Sequence, residues 1–203
     1  WRRWHISLSS WFRDYLYIPL GGSRVGTWKK VRNIFIIFIV SGFWHGANWT
    51  FIAWGALNAV YFLPLLLSNK NRKHLDTVAQ GKVFPNLKEF SLMLLTFGLT
   101  VFAWIFFRAE NIGHALSYIA DMFSSSLFSM PSFDKMKRAL ATMFFVVIFI
   151  LIEWKGREGQ YALENMKNIR SKPVRLLSYL IILLVICFFG NFDENLEFIY
   201  FQF

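Results

Sequence analysis

His45 is the side chain in this sequence best placed to do chemistry. It lies within the 34 residues from Ile34 to Leu67, a run that contains no Asp, Glu, Lys or Arg. An ionisable group in so apolar a setting is expensive to bury unless it is neutral, partnered or facing a wet cavity. Its neighbours suit a cavity. Gly42 and Gly46 allow close backbone approach, Ser41 and Asn48 can hydrogen-bond, and Trp44 offers an indole beside the ring. A neutral imidazole there can accept a proton from a hydroxyl nucleophile, the step that acyl transfer to an alcohol requires. The competing reading is a packing histidine that hydrogen-bonds across helices.

The other candidates are weaker. His5 opens an amphipathic stretch among Trp1, Trp4 and Trp11, where an interfacial structural histidine is an equal reading. Arg13 and Asp14 are adjacent and cannot share one helical face, so each is expected to cap or pair with another segment. His74 and His114 fall in segments that read as solvated surface. Four histidines with a single cysteine, Cys187, give no recognisable metal-ligand spacing and no disulfide. The glycine-rich Gly21–Thr27 lacks the Lys-Ser/Thr ending of a phosphate-binding loop and reads as a tight turn. No Gly-x-Ser-x-Gly elbow is present, so a soluble hydrolase triad has no support. Gly42 and Gly46 also match the spacing of a helix-packing motif.

The elements that must position His45 are membrane helices. Hydrophobic residues make up 56% of the chain and aromatic ones 20%, with 24 Phe and 9 Trp. The mean hydropathy is +0.41. A soluble core of this size cannot bury so much aromatic surface. Apolar runs cover Ile34–Leu67, Phe90–Phe107, Ala139–Ile152 and Leu176–Gly190. The last three suit one crossing each, two of them with help from their flanks. As one continuous helix the first would be roughly 51 Å long, well beyond a hydrocarbon core of about 30 Å. A hairpin or broken helix, turning at the glycines around His45, is therefore expected.

Charge placement gives the same answer. The net charge of +10 is concentrated in short segments between apolar runs, which argues against nucleic acid as a partner. Segments 21–33, 68–88 and 155–175 are basic, whereas 109–134 and the tail after Gly190 hold acids and no Lys or Arg. The positive-inside rule places the first three in the cytoplasm and the other two, including the C-terminus, outside. Both ends of the first apolar run then share a side, so its turn must fall near His45. Two stretches read as interfacial: residues 6–18, with Leu8, Trp11, Phe12, Tyr15 and Leu16 on one stripe, and His114–Phe128, with Leu116, Ile119, Met122 and Phe123 on one side. The closing Phe198–Phe203 reads as an aromatic interface anchor. The expected fold class is all-α, a polytopic transmembrane protein with a broken or re-entrant helix pair and interfacial amphipathic helices.

Several of these segments resemble one family. The run from Trp1 to Gly22, with Trp4-His5, Arg13-Asp14-Tyr15 and Tyr17-Ile18-Pro19-Leu20-Gly21-Gly22, is similar to the signature of bacterial membrane-bound O-acyltransferases (MBOAT). Gly42-Phe43-Trp44-His45-Gly46-Ala47 looks like that family's Trp-His-Gly box, and Phe102–Ala109 and Phe198–Phe203 resemble the same subgroup, the alginate and peptidoglycan O-acetyltransferases. The resemblance implies that residues 1–203 are the C-terminal part of a single membrane domain in the bacterial inner membrane. It maps His45 to the catalytic histidine and His5 to a second family histidine of catalytic or structural role. Ser41, Trp44, Asn48, Arg13 and Asp14 become substrate-tunnel candidates.

It further implies acetyl transfer from a cytoplasmic thioester such as acetyl-CoA, with no bound cofactor or metal. The acceptor would be a hydroxyl on the far side, reached through an extracytoplasmic acetyltransferase-like partner protein that serves a cell-surface polysaccharide, with membrane lipid as the surroundings. Two alternatives remain open at this point: D-alanyl transfer to teichoic acid, and a transporter or channel in which His45 gates or relays protons.

Overall fold

A computed structural model describes residues 5–68, 76–125 and 136–190. Trp1, Trp4, His74, the acidic tail and the aromatic stretch Phe198–Phe203 lie outside the described residues. All regular structure among the described residues is helical, as the apolar periodicity requires: α1 (Ile6–Phe12), α2 (Thr27–His45), α3 (Trp49–Leu67), α4 (Leu87–Arg108), α5 (Ile112–Met122), α6 (Met136–Gly156) and α7 (Lys172–Phe189). Of these, α3, α4, α6 and α7 are long and apolar enough to cross a membrane, which makes this a polytopic membrane protein. Helix α2 is not among the four, because Lys29, Lys30 and Arg32 occupy its first two turns.

The chain divides into two compact units, the first holding α1 to α5 and the second holding residues 77–82, α6 and α7. The centre of the first unit is the α2–α3 hairpin. Gly42 on α2 lies against the Phe51 backbone, and Gly55 on α3 lies against the Phe38 backbone. One glycine from each helix thus faces the other's main chain, and the paired positions run in opposite directions, which fixes an antiparallel register. A β-carbon at either glycine would collide with a carbonyl across the interface. Small residues here let the two backbones touch, which is how helices associate where no water drives them together.

Helix α4 begins with reciprocal capping, Asn86 Oδ1 accepting from Glu89 N at 2.8 Å and Glu89 Oε2 from Asn86 N at 2.8 Å. Such a box is worth about 1 kcal/mol and sets where the helix starts. Helix α4 ends at Arg108, and after two residues Asn111 caps α5 by accepting from His114 N at 2.9 Å.

The two stretches that the sequence reads as interfacial are mainly helical among the described residues. In α5 the packed side is Ala115, flanked by half-buried Ile112 and Ile119, while Leu116, Met122 and Phe123 are exposed. Of the apolar stripe that the sequence marks, Ile119 turns inward and the other three residues stay exposed. A helix at an interface is apolar on its lipid side as well as its protein side, so periodicity alone does not say which stripe packs. Helix α1 continues into a π-helical turn, Arg13–Tyr17. That wider turn rotates the residues beyond it about the helix axis. Phe12 is buried and Leu8 and Leu16 half-buried, whereas Trp11 and Tyr15 point outward with ring centroids 5.4 Å apart. The stretch ends where the sequence predicts, with Gly21 at φ +97° and Gly22 at φ +53°, left-handed conformations that glycine adopts without penalty.

In the second unit, the Phe145 and Phe189 rings of α6 and α7 pack at 4.6 Å. Just beyond α6, Arg157 gathers the 77–82 turn. Its guanidinium donates to the carbonyls of Val78, Ala79, Lys82 and Trp154, and lies 4.1 Å over the Trp154 ring. Next to it, Glu158 accepts from Gly81 N at 2.8 Å.

Candidate functional site

His45 is the last residue of α2, and the features that end the helix there are local. Gly46 has φ +155°, a conformation side chains rarely tolerate, and a β-carbon on it would lie 2.6 Å from Phe51 Cε2. Asn48 then starts α3, its Oδ1 accepting from Thr50 N at 3.1 Å. The break therefore consists of three residues, Gly46 to Asn48, and the turn falls where length and charge placed it.

The break delivers the imidazole into a ring of aromatic side chains, and His45 is only 7% exposed. From α3, Trp54 meets it edge-to-face at 5.2 Å, and the Phe51 ring lies tilted to it at 6.3 Å. From α4, Phe107 meets it edge-to-face at 5.1 Å. Phe107 also packs on Phe51 at 5.0 Å and on Trp54 at 5.3 Å, so the enclosing rings brace one another. Trp44 stands beside His45 at 4.8 Å with roughly half its surface exposed. Edge-to-face pairs of this kind are each worth about 0.5–1.5 kcal/mol beyond the area they bury. The arrangement holds a nearly buried imidazole among aromatic rings at the end of a helix, next to a turn. Such a group can receive or return a proton.

The remaining sequence-predicted residues fall into three groups. His5 joins the cluster from α1: its ring lies 6.5 Å from that of Trp44, and it is exposed with φ +48°. Both histidines thus flank the same indole. Ser41 is half-buried one turn before His45. Asn48 uses both ends of its amide, capping α3 and donating to Glu110 O at 2.8 Å, which ties the start of α3 to the α4–α5 corner.

Arg13 and Asp14 pair with each other through two bonds, at 2.7 and 3.0 Å, on the exposed side of the π-helical turn. This corrects the expectation that adjacency sends them to separate partners, because the long arginine stem folds back over its neighbour. Arg13's hydrogen bonds hold the Asp14 carboxyl below the usual carboxylate range, and Asp14 raises the guanidinium in return.

Phe51, Trp54 and Phe107 are the site residues that sequence reasoning missed. Aromatic residues are so frequent in this chain that three more carry no signal by type. The one usable clue is Phe107's place near the end of the Phe102–Ala109 stretch, whose likeness to the family assigns it no role.

Comparison with known proteins covers this same region. Residues 1–83 match the sequence profile of the MBOAT, membrane-bound O-acyltransferase family. A probable alginate O-acetylase of Pseudomonas putida is 37% identical over 174 residues, covering 85% of this chain and 33% of that protein. The peptidoglycan O-acetyltransferase of Helicobacter pylori is 42% identical over 122 residues, 60% of this chain and 22% of that protein. A membrane-bound O-acyltransferase of Schizosaccharomyces pombe is 42% identical over 64 residues, 32% of this chain and 10% of that protein. The chain spans about a third or less of the length of these curated relatives. No solved structure matches it.

Proposed function

Because this chain belongs to the membrane-bound O-acyltransferase family, we propose that it forms part of a membrane O-acetyltransferase in which His45 is the general base. The observation that carries the reading is a buried imidazole at the break of an otherwise apolar hairpin. Two of the relatives are named as O-acetyl-transferring proteins, and the family profile match over residues 1–83 includes that hairpin.

Depth along the hairpin supports the same assignment. From Asn33 to His45 the helix is free of charge, a length of about 20 Å. That is roughly two-thirds of a 30 Å hydrocarbon core. With the basic first turns of α2 anchored at the cytoplasmic surface, the imidazole sits inside the bilayer, reachable by a donor from one side and an acceptor from the other.

The step itself is an ordinary acyl exchange. An acetyl thioester, acetyl-CoA being the donor that the basic cytoplasmic segments suit, presents its carbonyl carbon near His45. The imidazole takes the proton from the acceptor hydroxyl as its oxygen bonds to that carbon. The tetrahedral intermediate collapses with cleavage of the C–S bond, and the leaving thiolate takes the proton back from the imidazolium. His5, whose ring also contacts Trp44, belongs to the same site as a neighbour of the base. The acceptor belongs to a cell-surface polysaccharide pathway of the bacterial inner membrane, served by an extracytoplasmic partner protein.

His45→Ala should abolish acetylation of the exported polymer while leaving the amount of membrane-inserted protein unchanged. The readout is acetyl content of the polymer beside an immunoblot of the membranes. Normal acetylation in that variant would refute the assignment.

A further inference from the structure

Helix α4 is exposed along most of its length and packs tightly at one end only. From Phe90 to Phe102 its side chains are exposed; then Ala103 is 1% exposed and Ile105, Phe106 and Phe107 are half-buried. One residue past the helix end, Ala109 is half-buried, and the next, Glu110, gives its carbonyl to the Asn48 side chain at 2.8 Å. The end of α4 is therefore held at two places, by the buried Ala103 and by the bond from Glu110 to the Asn48 cap of α3, and Phe107 lies between them in sequence. Its ring touches His45, Phe51 and Trp54 together, all at centroid distances of 5.0–5.3 Å.

A ring that only filled space would not need a latch on each side of it. We infer that Phe107 is a positioning residue: held by the α4 latch, its ring, set nearly perpendicular to the His45 imidazole, fixes the rotation of that imidazole, so that one ring nitrogen stays aimed at the acceptor hydroxyl. This rests on His45 acting as the base. It also gives the end of α4 a task, which is to deliver one ring to the imidazole and, from Glu110, one carbonyl to Asn48. A base displaced by an ångström costs on the order of a hundredfold in rate without altering how substrate binds. The signature of the role is thus a fall in kcat at constant KM.

The experiment uses the intact protein in its native membranes, with labelled acetyl-CoA as donor and polymer-bound label as product, all rates expressed per inserted molecule. Phe107→Ala should lower kcat about 10- to 100-fold with KM for acetyl-CoA held within about threefold. Phe107→Tyr and Phe107→Trp, which keep an aromatic ring, should recover most of the loss, whereas Phe107→Leu, apolar but without a ring, should not. Diethyl pyrocarbonate, which acylates accessible imidazoles, should modify His45 faster in the Ala variant, as read by mass spectrometry of the tryptic peptide. Full kcat per inserted molecule for Phe107→Ala or Phe107→Leu overturns the inference. So does a loss confined to KM. Inactive His45→Ala beside active Phe107→Ala refutes this inference alone, whereas active His45→Ala refutes the base and the positioning role together.

Discussion

A hydroxyl buried without a partner works against the fold, and Thr50 carries one. It is fully buried in the first turn of α3, and its Oγ1 has no hydrogen-bond partner among the described residues. Leaving a polar atom in that condition costs about 1–3 kcal/mol, whereas an apolar group of the same shape costs nothing of the kind. Thr50→Val should therefore raise the midpoint of thermal unfolding in detergent, by an amount equivalent to about 1 kcal/mol or more. An unchanged or lowered midpoint would show that the hydroxyl is engaged. Legibility at this scale varied with rarity. His45 could be found because one imidazole in a long uncharged run has few explanations. The Arg13–Asp14 pair could not, because adjacency says nothing of how a flexible stem folds back. Nor could the rings around His45, for which the sequence supplies many equivalent Phe and Trp.

Elements were easier to read where two independent constraints met. The α2–α3 turn was fixed by excess apolar length and by basic segments at both ends, and it lies at Gly46–Asn48 as both required. The face of α5 was harder, having only a period to go on. The Arg157 clasp was invisible in advance, because it depends on a side chain near one element meeting the backbone of a turn some 75 residues earlier. Its chemistry is specific. A guanidinium spreads five N–H donors in a plane and reaches several carbonyls together, while an ammonium is a point charge with three donors. Arg157→Lys should destabilise this unit by about 2 kcal/mol. The effect would show as faster tryptic cleavage after Lys82 in native membranes, and parental cleavage rates would contradict the account. Arg157→Ala, which also removes the contact with the Trp154 ring, should cleave faster still.

For the whole molecule, composition alone separated a membrane protein from a soluble one, and charge asymmetry supplied the expected sidedness. What it could not supply was the unevenness of the packing. Residues of α3 are buried between α2 and α4, whereas no residue of α7 is buried. The two helices have similar hydropathy, 1.7 and 2.0, so a scale that sums over residues treats them alike. Their sequences nevertheless answer to different demands. Helix α3 must put Gly55, Phe51 and Trp54 at fixed angles around its axis. For α7, contacts within the described protein leave order almost free, and its apolar content governs entry into the bilayer. Permuting Leu176 to Phe189 while keeping composition should leave insertion and reporter-fusion topology as they are. The same shuffle of Trp49 to Val60 should abolish activity without preventing insertion.

The doubled glycine contact between α2 and α3 has an evolutionary corollary. Two chains of heavy atoms pressed that closely cannot drift apart in sequence independently. A bulkier residue at position 42 would have to be answered by retreat of the Phe51 main chain opposite it, and a main chain has no side chain to give up. That seam is a fossilised dimension of the protein, and change should accumulate on the lipid-facing flanks while the seam stays as it is.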